Sequence, residues 1–234
     1  MGISQTKLSQ PRHPYYPSDI VLTGYVPNAL HFSTLLYGFG AAVIVLFIFT
    51  YIISKWRRPN ISTSDILKVQ WFVLCKSAKV DIPLLLLQLL PNECLIRDPG
   101  GSLHVAFEGY YIFNSHRILH SQSVLAQLWK EYAFGDSRYL TQNSMVLVIE
   151  VITVTLWGPM CFVTAYAIVE QKWSRFALQM CVSLAHMYGD MIYYGTSLLD
   201  LQMNGVNHSR PESLYFWGYF VGMNAPWIIV PACR

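Results

Sequence analysis

The chain has 234 residues, of which 53% are hydrophobic, 15% aromatic and only 12% charged, with a formal net charge of +3. Soluble domains carry roughly twice that charged fraction, so the apolar surplus points to lipid as the solvent, while so small a net charge argues against a nucleic-acid partner. Five cysteines (Cys75, Cys94, Cys161, Cys181, Cys233) show no ligand spacing and read as small buried hydrophobes, not as a disulfide framework or metal site.

The N-terminus is polar and proline-bearing (Gln10-Pro11-Arg12-His13-Pro14) with no early apolar core. It reads as an extramembrane segment over 1–29 without a cleavable leader, the first span acting as the targeting element. Residues 30–53 form 24 positions without Asp, Glu, Lys or Arg, closed by Lys55-Trp56-Arg57-Arg58-Pro59. That pattern predicts a spanning helix with a basic stop. Residues 66–75 and 101–113 each read as half a span, too short alone. Between them, 76–100 is a stretch of 25 residues carrying six charges and three prolines. With it removed, the halves join into 23 residues, about 34 Å of helix. The flanks fit as one interrupted helix, so 76–100 is expected to be a foreign insertion, such as a retained intron translated in frame. The plain alternative is a genuine loop between two broken half-helices.

Further spans are predicted over 144–169, 176–199 and 214–233, the first two joined by a short turn at 170–175. The expectation is an all-α membrane protein: a five-span transmembrane helix bundle over 30–234, enclosing a buried polar cavity. Lys55, Arg57, Arg58, Lys172 and Arg175 fall in short loops on one face, which the positive-inside rule makes cytosolic. The connection 115–143 and the N-terminus are then lumenal.

Three carboxylates interrupt otherwise apolar segments: Glu108, Glu150 and Asp190. A charge in hydrocarbon costs several kcal/mol and is kept mainly where it faces a protected cavity. His104 and Glu108 are four apart, so on a helix they share a face, and such a pair is able to hold and pass a proton. Glu150 has Trp157 two turns later on its own face; the structural alternative makes it the partner of a lumenal base such as Arg138. Asn224 and Trp227 are three apart, with Pro226 between them opening the backbone ladder; Trp offers a π-face to a cation. Asp190 has His186 one turn earlier, and His186 reads as structural. Tyr188, Tyr193 and Tyr194 read as an aromatic wall. In the 129–139 stretch, Lys130, Glu131, Asp136 and Arg138 read mainly as ion pairs fixing a lid, with a minor share for contact to a substrate's polar end.

Several stretches now resemble the emopamil-binding protein family, which carries the EXPERA domain and includes the sterol Δ8-Δ7 isomerases of the endoplasmic reticulum. Gln127-Leu128-Trp129-Lys130-Glu131-Tyr132-Ala133 followed by Gly135-Asp136-Ser137-Arg138-Tyr139 is the most specific. His13-Pro14-Tyr15, Val26-Pro27-Asn28, Leu156-Trp157-Gly158-Pro159, Tyr188-Gly189-Asp190, Leu214-Tyr215-Phe216-Trp217 and Met223-Asn224-Ala225 are similar too. The family pattern passes directly from a cysteine like Cys75 to Gly-x-x-His like Gly101–His104, and it continues past the last span into a basic tail. The final helix is accordingly expected to be incomplete at Arg234.

The resemblance implies a multi-pass protein of the endoplasmic reticulum membrane that moves a sterol ring double bond through a carbocation, with no metal and no cofactor. It implies His104, Glu108, Glu150, Asn224 and Trp227 as catalytic groups, with acid and base unassigned among them. Asp190, Tyr188, Tyr111 and Trp157 are the expected substrate-binding groups. A sterol substrate, lipophilic amines as inhibitors, membrane lipid and a homodimer are the implied partners, and nucleic acid is not among them. The alternative is a non-catalytic binder of sterols or lipophilic amines on the same fold.

Overall fold

The computed structural model describes residues 13–74 and 107–233 of the chain; His104 and the suspected insertion 76–100 lie outside the described residues. Among those described there is no strand, and helices follow one another in chain order. α1 (Phe32–Arg57) starts where His31 accepts the Ser33 backbone N–H and ends with Lys55 and Arg57 in its last turn, a placement that complements the negative helix terminus. The basic stop thus lies inside the helix, which runs four residues past the predicted boundary. α2 (Thr63–Leu74) carries Asp65 in its first turn. α3 (Gly109–Asn114) is short.

The connection 115–143 is a folded cap rather than an open loop. It holds α4 (Val124–Tyr132), where the Ser123 side chain accepts the Ala126 N–H, and a 3₁₀ turn at Ser137–Tyr139 capped by Asp136. α5 (Ser144–Val169) is 26 residues long and contains a wide, π-type turn at Thr153–Trp157. α6 (Ser174–Asn204) has 31 residues and continues five positions past the predicted end, because Asp200 does not stop it; Gly205 does, at φ 66°. A side chain is strained in that left-handed conformation, which suits glycine at a helix end. The predicted last span divides into a π-type segment, α7 (Leu214–Gly222), and α8 (Pro226–Ala232). Pro226 supplies no N–H to the ladder, so the break falls where its chemistry requires.

Two packed regions organise the bundle. At the cap end, Tyr15, Tyr111, Trp129, Tyr139, Tyr193 and Phe220 belong to one buried cluster. Toward the other end, Val69 and Phe72 of α2 pack with Cys161, Ala165 and Ile168 of α5 and Val182 of α6. Arg57 pairs with Glu170 at 3.1 Å, and Arg58 reaches the Val169 carbonyl at 3.4 Å, so the basic residues of α1 and of the α5–α6 turn collect at that second end. Of the three described cysteines, Cys161 is buried as expected, whereas Cys181 and Cys233 are exposed.

Two helices among the described residues, Phe32–Arg57 and Ser144–Val169, are long and apolar enough to cross a membrane. A soluble core helix of that kind is mostly buried, yet α1 buries only Leu35, Leu46, Thr50 and Ser54. Its Tyr37, Ile44, Ile48 and Phe49 point outward, as do Val163 on α5 and Phe176, Met180 and Leu184 on α6. An apolar belt this wide is unstable against water and suited to acyl chains. Trp56 and Trp173, both strongly exposed at the basic end, sit where interfacial tryptophans anchor a bilayer boundary. The chain is a membrane protein.

Candidate active site

The cap is built to hold its inner wall still. Asp136 and Arg138, each 1% exposed in the side chain, form an ion pair at 2.6 Å. Arg138 also donates to Thr196 Oγ1 at 2.9 Å and to the Tyr193 carbonyl at 3.0 Å, which locks the cap onto α6. Burial opposes the charged guanidinium, but the Asp136 contact more than offsets it and leaves the Arg138 pKa raised. Lys130 pairs with no carboxylate among the described residues: its Nζ donates to the Val26 and Ser121 carbonyls at 2.8 and 3.0 Å. Burial pulls its pKa down to about 8. The lid expectation thus holds for Asp136–Arg138, while Lys130 ties the N-terminal segment to the cap and Glu131 points elsewhere.

Gly135 is the one glycine the cap needs for close approach. A Cβ there would stand 2.8 Å from Tyr219 Cβ and 3.0 Å from the Phe220 backbone nitrogen. This contact seats α7 against the end of α4. The 205–213 loop is pinned alongside, with Ser137 N–H donating to His208 O and Arg210 N–H to Phe134 O, both at 3.0 Å.

Beneath the cap lies a cavity of about 470 Å³, within the range of small-ligand sites. Its wall is mainly apolar: Phe32, Leu35, Leu36 and Phe39 from α1, Phe107, Trp129 from α4, Ile149 and Ile152 from α5. Four acidic groups enter it, Glu108, Glu131, Glu150 and Asp190, together with Asn224, His186 and Trp227. Trp129 lies flat on Phe107 at a centroid distance of 4.2 Å and donates its indole N–H to the Phe107 carbonyl at 2.9 Å. That fixes the backbone next to Glu108. Tyr139 Oη donates to Glu150 Oε1 at 2.8 Å, and Tyr132 Oη donates to Asn224 Oδ1 at 3.0 Å. Asn224 in turn donates its amide N–H to the Phe220 carbonyl at 2.7 Å, so its orientation is set from both sides. Trp227 stands between Trp71 at 4.8 Å and His186 at 5.6 Å, ring centre to ring centre. Asp190 Oδ2 is buried with no hydrogen-bond partner among the described residues.

The structure places Glu108, Glu150, Asp190, Asn224, Trp227, Trp157 and Tyr188 in this one wall. Tyr188 is 68% exposed and marks the wall's outer edge. Tyr111 differs from the expectation: it is fully buried, packed on Trp129 at 4.8 Å and Tyr139 at 5.2 Å, behind the wall rather than in it. His104 lies outside the described residues. The alternative of a Glu150–Arg138 pair is not what forms, since Arg138 turns to Asp136 and Glu150 to Tyr139. Sequence reasoning missed Tyr132 and Tyr139 as wall residues, gave Glu131 only a minor share in substrate contact and left His186 as structural. The spacing of Leu128, Trp129 and Tyr132 on one helical face is the signal that points inward.

An isolated set of acids in an apolar, water-poor space, with a π-face and an oriented amide, is suited to moving protons on a hydrocarbon and stabilising transient positive charge. The family model EXPERA (expanded EBP superfamily) matches residues 124–234. The 3-beta-hydroxysteroid-Delta(8),Delta(7)-isomerase of Cavia porcellus is 33% identical, over 97% of this chain and 87% of that protein. The Rattus norvegicus protein of the same name is 33% identical over 94% of this chain and 84% of its own length. An isomeliandiol synthase of Ailanthus altissima is 34% identical over 78% of this chain and 81% of that protein.

Proposed function

Because this chain belongs to the EXPERA (expanded EBP superfamily) family, we propose that it is a sterol Δ8-Δ7 isomerase acting within a multi-pass bundle of the endoplasmic reticulum membrane. The observation that carries the proposal is the convergence of Glu108, Glu150 and Asp190 on one apolar cavity that Trp227 and Asn224 also line. The reaction adds a proton at carbon 9 and removes one from carbon 7, so the double bond migrates with no net change in protons or electrons. Between the two steps the positive charge sits on carbon 8.

Glu108, with His104, manages the incoming and outgoing protons. Glu150, oriented by the Tyr139 hydroxyl, shares in that relay or balances the cation. The Trp227 face and Asn224 stabilise the charge, and the aromatic wall keeps water from trapping it. A pocket built for a carbocation also takes lipophilic amines, whose ammonium mimics the intermediate.

Five spans follow if 66–75 and 101–113 form a single helix, which makes 76–100 an insertion and places the basic end of the bundle in the cytosol. The test uses membranes carrying the chain with 76–100 deleted, supplied with a Δ8-sterol in deuterated water. The expected product is a Δ7-sterol with deuterium at carbon 9. A non-catalytic carrier binds the sterol without exchange, and unlabelled, unconverted sterol recovered from a chain that still binds amines rejects the enzymatic reading. Full-length and shortened chains compared in isomerase-deficient cells test the insertion separately: equal activity of the two excludes it.

A further inference from the structure

Glu131 is the one acid of the cavity that the isomerisation does not use. Glu108, Glu150 and Asp190 lie within electrostatic reach of one another. None of the three is among the groups that act on Glu131, whose basic neighbours are Arg210 and His31 at the cap end. It sits one position from the end of α4, and the wall around it includes Phe32 at the start of α1. The carboxylate is half-buried, and Tyr219 Oη donates to its Oε1 at 3.1 Å. That bond orients the group while the second oxygen is free of protein hydrogen bonds among the described residues. Tyr219 is itself held by the close contact at Gly135.

The cavity is therefore polar in two regions, one where three acids act on one another and one where the Glu131 carboxylate is oriented by Tyr219. We propose that Glu131, positioned by Tyr219, accepts the hydrogen bond of the substrate's 3-hydroxyl and so sets which way the sterol lies. The inference rests on the sterol reading of the site. A flat hydrocarbon with one hydroxyl must leave water's hydrogen bonds behind on entering an apolar cavity, and an unmade bond there is costly. A single acceptor at one end is what such a molecule requires. In a bilayer the sterol hydroxyl lies at the interface, and Glu131 lies in the cap, at the interfacial end opposite Lys55–Arg58. The molecule then keeps its hydroxyl at the interface as it binds and does not turn over.

The experiment compares a 3-hydroxy Δ8-sterol with its 3-deoxy analogue on the full chain in membranes, by turnover and by competition binding. The wild type is expected to favour the hydroxysterol by about tenfold or more, the ordinary contribution of a hydrogen bond to a charged group. Glu131→Ala is expected to raise KM and the competition constant for the hydroxysterol to the deoxy value while leaving the deoxy sterol's own constants within about twofold. Glu131→Gln, which keeps an acceptor, and Tyr219→Phe, which only loosens the carboxylate, are expected to lose part of the preference. Equal losses for both sterols, or a preference unchanged in Glu131→Ala, overturn the proposal. A wild type that binds both sterols but turns over neither rejects the isomerase reading, and the binding arm still decides the role of Glu131.

Discussion

Tyr139→Phe removes one oxygen from the wall and is expected to cost most of the turnover. Its hydroxyl, 2.8 Å from Glu150 Oε1, makes the one side-chain hydrogen bond to that carboxylate among the described residues. The ring stays anchored, stacked or edge-on against Trp129 at 4.8 Å, Tyr111 at 5.2 Å and Tyr132 at 5.2 Å, so the change removes a bond and not the packing. A hydrogen bond to a charged group is worth about 1.5–3 kcal/mol. At about 1.4 kcal/mol per tenfold, kcat is expected to fall roughly tenfold to a hundredfold if Glu150 acts as an oriented carboxylate in the transition state. The assay is conversion of a Δ8-sterol by membranes across substrate concentration, with Glu150→Gln beside it and the thermal midpoint as a folding control. Tyr139→Phe with kcat within about twofold of wild type, while Glu150→Gln is inactive, refutes the idea that this hydroxyl prepares the acid.

Arg138→Met leaves Asp136 buried and uncompensated, and the expected loss is about 3–5 kcal/mol in detergent unfolding; adding Asp136→Leu recovers much of it because the stranded charge is gone. Gly135→Ala forces a Cβ to within 2.8 Å of Tyr219 Cβ, so about 1–3 kcal/mol of stability is expected to be lost, with activity falling in step as α7 shifts. Lys130 gives an inverted pH dependence. Its folded pKa of about 8 lies below the ordinary lysine value, so between pH 8 and about 10.5 the unfolded chain binds more protons and stability rises with pH. Unfolding midpoints measured across that window are expected to rise with pH in the wild type relative to Lys130→Met, which lacks this contribution.

The two long apolar helices and the acids were legible for the same reason. In an apolar run a single carboxylate stands out, so Glu108, Glu150 and Asp190 declared themselves without any knowledge of packing. Helix ends were less legible: Asp200 looked like a boundary, but α6 runs on until Gly205, whose backbone conformation stops it. The cap was the hardest part. Lys130, Glu131, Asp136 and Arg138 offer two acids and two bases in nine positions, and composition alone suggests mutual pairing. Tertiary structure divides them instead, since Lys130 satisfies carbonyls 9 and 104 positions away and Glu131 meets Tyr219 88 positions on. Tyr132 shares a helical face with Leu128 and Trp129 and was open to that reading, whereas Tyr139, in a 3₁₀ turn, carries no periodic signal that names its partner.

Two wide-turn segments, Thr153–Trp157 in α5 and Leu214–Gly222, both border the cavity. Wide turns are uncommon in helices and recur at functional sites. Each residue of such a turn advances through a smaller angle than in an α-helix, so neighbouring side chains stay closer to one face. On α5, Ile149, Glu150 and Ile152 precede the turn, Thr153 and Trp157 bound it, and all five line one cavity. In α7 and just beyond it, the same widening brings Tyr219, Gly222, Met223 and Asn224 to the wall before Pro226 restarts the ladder. The cost is backbone geometry less regular than an α-helix, held by the Tyr194 hydroxyl on the Val221 carbonyl at 2.8 Å and the Asn224 amide on Phe220. The cavity is thus bordered by two elements whose backbones leave α geometry at the residues that face it.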